Sequence, residues 1–91
     1  MSVLFQSTIE NSLSNLEVYA TNNPKVLHIN GKLIDETKVT IYDLQGREIL
    51  SSNLDQNNLN NKIDISKMGT GVYVVIVSSN SINKSEKIII R

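Results

Sequence analysis

Short apolar segments, each cut off by turn chemistry after five to eight residues, are the feature of this chain that most limits its fold. Leu16-Glu17-Val18-Tyr19-Ala20 alternates with period 2, and Thr21-Asn22-Asn23-Pro24 ends it. Lys25–Ile29 follows, with Leu27 and Ile29 on one face and Asn30-Gly31 closing it; Lys32–Glu36 reads as an irregular connection. Thr37–Tyr42 and Arg47–Ser51 flank Asp43-Leu44-Gln45-Gly46, which reads as a hairpin turn. Ser52–Asn61 is a polar, Asn-rich loop. Lys62–Ile65, Val72–Val77 and Lys84–Arg91 then alternate with the turns Ser66–Gly71 and Ser78–Asn83. Such segments are too short for helices, and their period is that of half-buried strands. Seven strands at roughly 8–12-residue spacing predict an all-β fold, an immunoglobulin-like antiparallel β-sandwich, with a small open barrel as the other way of closing the sheet.

Residue usage agrees. Twelve Ile and eight Val stand against a single Ala, which suits pleated surfaces and not helices. Twelve Asn and eleven Ser supply the turns. The inward period-2 positions predict a core of Leu27, Ile29, Val39, Ile41, Ile49, Ile63, Ile65, Val72, Val74 and Ile76. Val72–Val77 is apolar on both faces and reads as the most buried strand.

At 91 residues and 10.2 kDa the chain holds one small domain. Residues 1–14 lack alternation and read as a linker or cargo tail; the domain is placed at 15–91. Nine basic and nine acidic residues give no net charge, which argues against a nucleic-acid footprint and a polybasic membrane patch. The longest apolar run is far short of the roughly 20 residues needed to span a bilayer. With no Cys there is no disulfide framework and no thiolate site. Met1–Glu10 lacks the basic and apolar regions of a secretory signal.

Little in the sequence points to catalysis. His28, the one histidine, falls on the strand face opposite Leu27 and Ile29 and reads as a solvent-side residue. Asp35, Glu36, Asp43, Asp55 and Asp64 are dispersed, and Asp43 is explained by its turn, so no metal site is expected. Gly69-Thr70-Gly71 leads into a strand, whereas phosphate loops lead into a helix. Tyr19 and Tyr42 are the two candidates for a sugar-stacking face; Tyr73, in the most apolar strand, reads as structural. The residues alone describe a non-enzymatic β module without a cofactor.

Three stretches carry a resemblance. Ile41-Tyr42-Asp43-Leu44-Gln45-Gly46-Arg47-Glu48-Ile49 is similar to an I-Y-D-x-x-G-K/R-x-V hairpin. Ile63–Tyr73 is similar to I-x-L-S-x-L-x-x-G-x-Y, with Met68 at the second Leu. Lys84–Arg91 is similar to a final strand carrying Lys and several Ile or Val. In this order they resemble the type A C-terminal sorting domain of type IX secretion cargo proteins in Bacteroidetes. The opening V-Y-P-N-P of that family is represented only by Val18-Tyr19, with Asn23-Pro24 displaced toward the next strand.

The resemblance implies a secretion signal. Such domains are read by the outer-membrane type IX translocon, direct an upstream cargo domain from the periplasm to the cell surface, and are usually removed there by a sorting peptidase. They are covalently linked to their cargo, and they neither bind nucleic acid nor insert into the membrane. The signal peptide would then belong to the N-terminus of a longer protein. The motif residues Tyr19, Tyr42, Asp43, Gly46, Gly71 and Tyr73 would be structural. Lys84, Lys87, Ile88, Ile89, Ile90 and Arg91 are the candidates for translocon recognition. Three consecutive isoleucines cannot all face one core, and a last strand at a sheet edge can pair with a partner strand. Two other readings remain at this stage: a carbohydrate- or protein-binding accessory module of a secreted enzyme, and a passive spacer.

Overall fold

The computed structural model describes residues 15–80 and 82–91; the linker or tail expected at 1–14 lies outside them. Seven strands follow one another: β1 (Glu17–Asn22), β2 (Lys25–Asn30), β3 (Thr37–Tyr42), β4 (Glu48–Asn53), β5 (Asn60–Asp64), β6 (Gly71–Ser79) and β7 (Ile82–Ile90). They form a three-stranded sheet in the order β1-β2-β5 and a four-stranded sheet in the order β4-β3-β6-β7, with every pair antiparallel. The all-β sandwich read from the sequence is what the chain forms. β7 is an edge strand, as expected, and pairs with β6 as a hairpin.

The two sheets meet over a core of Leu27, Ile29, Val39, Ile41, Ile65, Val75, Val77, Ile88 and Ile90, all nearly inaccessible to solvent. Leu16, Leu33, Leu54 and Met68 extend it from the connections. Four expected core members are elsewhere. In β6 the inward residues are Val75 and Val77, with Tyr73 packed at the core margin; Val72, Val74 and Ile76 point outward and are half-buried. The ladder to β3 decides this, because Val39 pairs with Val77 and Ile41 with Val75, and ladder partners share a face. A strand apolar on both sides carries no sequence mark of its phase. Ile49 is the fourth: it is 42% exposed. A register shift pairs Ile41 with Leu50 but Tyr42 with Glu48, so Ile49 sits in a bulge and Leu50 takes the inward place. Ile63 is only partly buried, against the core edge.

The hairpin turn forms as its residues dictate. Asp43 N–H donates to the Arg47 carbonyl (3.0 Å) and Gly46 N–H to the Asp43 carbonyl (3.1 Å). Asp43 Oδ1 accepts from the Gln45 and Arg47 amides, each at 2.9 Å. Gly46 closes the turn at φ 87°, a conformation costly for residues with a Cβ. A Cβ there would touch nothing, so the strain is purely conformational. Gly46→Val is therefore expected to lose more than about 1 kcal/mol of stability, measurable as a lower urea midpoint with unchanged slope.

Candidate recognition surface

The polar clusters among the described residues tie side chains to turns and to one another. His28 lies on the outer face of the three-stranded sheet, stacked on Tyr19 at 4.8 Å, with Nε2 3.3 Å from Thr21 Oγ1. Asn30 Nδ2 donates to the Tyr19 hydroxyl (3.3 Å). Among the described residues no three His, Cys, Asp or Glu side chains come together as a metal site. Asp43 and Asp64 each hold a turn. The Arg47 amide, first, and then the Arg47 guanidinium (2.8 Å) keep the Asp43 carboxyl below its ordinary value of 3.8. The Ser66 hydroxyl and amide do the same for Asp64. A depressed folded-state pKa gives stability that is present above the unfolded value and is lost as pH falls through the folded one. The acid limb of a melting-temperature profile, from pH 5 to pH 2, should accordingly be shallower in an Asp43→Asn, Asp64→Asn double variant than in the parent.

The six candidate recognition residues divide by face. Ile88 (4% exposed) and Ile90 (0%) are core, whereas Ile89 between them is 50% exposed. Lys87 and Ile89 stand outward, opposite Val74 and Val72 of β6. Arg91 is exposed, its amide donating to Asn22 Oδ1 (3.0 Å) and tying the end of β7 to β1. Lys84 points toward the core side, half-buried and paired with Glu86 at 3.6 Å. Inward-pointing charges on an edge strand discourage pairing with another copy, so Lys84 and Glu86 guard the first half of this edge.

Five motif residues converge. Tyr42, Asp43, Gly46, Gly71 and Tyr73 sit where the 43–47 turn meets the start of β6, and Tyr73 donates its hydroxyl to the Gly69 carbonyl (2.8 Å). Tyr19 is apart, on the other sheet. The convergence leaves an open cleft of about 330 Å³ lined by Asp43, Leu44, Arg47, Ile49, Val72 and Tyr73. Leu44 is 65% exposed at the turn tip. The sequence does not single out Leu44, Ile49 and Val72 as lining this cleft, because turn chemistry accounts for the first and core periodicity for the other two. An apolar residue at the tip of an otherwise polar turn was the available signal.

The family of secretion system C-terminal sorting domains matches this chain over residues 6–91, nearly its whole length. The chain belongs to that family. No curated protein matches it. The match includes all seven strands, so the sorting domain is the sandwich itself, and its function is that of a C-terminal sorting signal for type IX secretion. The family is not a catalytic one. Tyr19 and Tyr42 of the sorting domain face out from different sheets and cannot make one sugar platform.

Proposed function

We propose that the outward side of β7 is the part of the sorting domain that the outer-membrane translocon reads, and that a surface peptidase afterwards separates the domain from an upstream cargo. The cargo is carried through the periplasm to the cell surface, and the sorting domain itself is an address without chemistry of its own. The observation that supports this most is the split of the last strand. Ile88 and Ile90 anchor β7 in the core, which leaves Lys87, Ile89 and Arg91 free to meet a partner. Lys84, held by Glu86, belongs to the same strand and helps to keep its edge from self-association.

Deleting the strand would not test this, since the loss of Ile88 and Ile90 would unfold the domain. Outward substitutions separate recognition from folding. In a periplasmic reporter carrying the domain at its C-terminus, in a type IX-secreting bacterium, a Lys87→Glu, Ile89→Ser double variant should reach the surface at least about tenfold less than the parent, as expected for losing one tenfold step or more in affinity. Its circular dichroism melt should stay within a few degrees of the parent's. Parent-like delivery of the folded variant would exclude the outward side of β7.

A further inference from the structure

Cargo and machinery pull on this domain from opposite ends. In the sorting reading above, on which this inference rests, the cargo is joined ahead of residue 15 and the machinery meets the outward residues of β7. β1 and β7 are the edge strands of the two sheets and lie side by side. They also finish together, because Asn22 Oδ1 at the end of β1 accepts from the Arg91 amide just past β7 (3.0 Å). The two strands therefore run the same way, with Asn15 at one end of the sandwich and Arg91 at the other.

Tension between these points acts along the strands. It draws β1 lengthwise past β2, and β7 lengthwise past β6. The hydrogen bonds of an antiparallel ladder stand perpendicular to its strands. Under a lengthwise pull all the pairs of a strand resist together, whereas a strand peeled sideways from one end loses them one at a time. Six residue pairs hold β1 to β2 and nine hold β7 to β6, so β1 is the weaker of the two. The first turn of chain behind the pulling point is firmly seated. Leu16 is 4% exposed and lies against the Gly31 backbone, where a Cβ on Gly31 would stand 2.7 Å from Leu16 Cδ2.

We propose that the domain is a force-bearing coupling between the secretion machinery and its cargo, loaded in shear, with Leu16 as the catch and β1 as the strand that yields first. Overload then strips the cargo-side strand while β7, which carries the outward residues Lys87 and Ile89, stays paired to β6.

The chain has no cysteine, so two introduced thiols define a pulling axis. Optical tweezers on the whole purified chain compare an Asn15→Cys, Arg91→Cys variant with an Asn15→Cys, Lys32→Cys variant. Lys32 follows Gly31 at the same end as Asn15, so the second axis peels β1 from β2. The first variant should unfold at severalfold higher force. Along the first axis Leu16→Ala should unfold about tenfold faster than its parent at fixed tension, since forced unfolding follows the unfolding rate. Leu54→Ala should unfold less than about twofold faster along that axis, because Leu54 belongs to the β4–β5 connection, away from β1. Both side chains are buried, so both variants should lose equilibrium stability in urea, and only the mechanical readout separates them. Equal forces along the two axes would overturn the proposal and leave the sorting reading intact. So would a parent-like rate for Leu16→Ala, or equal acceleration by Leu16→Ala and Leu54→Ala. A parent fusion that never reaches the cell surface would remove the sorting reading, and the proposal with it, whatever the forces.

Discussion

Ile41→Ala is expected to lower the unfolding free energy by about 2–4 kcal/mol, the range for truncating a large aliphatic side chain in a packed core. Ile41 has no exposed surface and stands in the middle strand pair of the four-stranded sheet, between Leu50 and Val75. The three-stranded sheet packs over it, so neither layer can close the void without moving a ladder. In a domain of this size the loss corresponds to a melting-temperature drop on the order of 10–20 °C. Val74→Ala, one residue away from Val75 but on the outer face, should cost about 1 kcal/mol or less, because its methyl groups leave a half-open surface and not a cavity. Urea denaturation of the two variants measures the contrast. Equal losses would mean that β6 presents its faces the other way round.

Asn61→Ala is expected to be the most damaging single change outside the apolar core, at about 2–3 kcal/mol. Only 7% of Asn61 is exposed, and its amide organises the whole β4–β5 connection. Its Oδ1 accepts from the Asp55 amide (2.9 Å), and its Nδ2 donates to the carbonyls of Asp55 and Asn58 (3.1 Å each). Removing the side chain strands these backbone groups beside Leu54, a core residue. Asn57→Ala, in the same loop and exposed, should be within about 0.5 kcal/mol of the parent. Thermal denaturation distinguishes the two, and an Asn61→Ala variant as stable as Asn57→Ala would contradict the part given to Asn61.

The sequence was most informative where one face of a segment is polar. Val39 and Ile41 alternate with Lys38, Thr40 and Tyr42, and both are buried where that alternation puts them. Asp43 and Gly46 located a turn whose hydrogen bonds are the ones their chemistry favours. The isoleucine triplet required one outward member, and Ile89 is that member. Legibility failed where the local signal was symmetric or silent. Val72–Val77 fits either phase, and only the pairing with β3 fixes it. The bulge that turns Ile49 away from the core depends on how two strands meet, which Glu48-Ile49-Leu50 does not reveal. Among the asparagines of the 55–61 loop nothing in the sequence singles out Asn61 as the buried one. The outward members of β7 follow from period 2, whereas the cleft that Leu44 and Val72 line appears only when the 43–47 turn and the start of β6 are brought to one end of the sandwich.

The deciding property of this domain is whether it moves a protein across the outer membrane. The most direct measurement is surface delivery of a periplasmic reporter carrying the chain at its C-terminus, compared between a type IX-secreting bacterium and the same strain lacking the translocon. Protease accessibility of the reporter on intact cells gives the readout. The expected result is a reporter exposed or released in the first strain and held in the periplasm of the second. A reporter retained equally in both, or exported equally in both, would contradict the assignment of this sandwich as a type IX sorting signal.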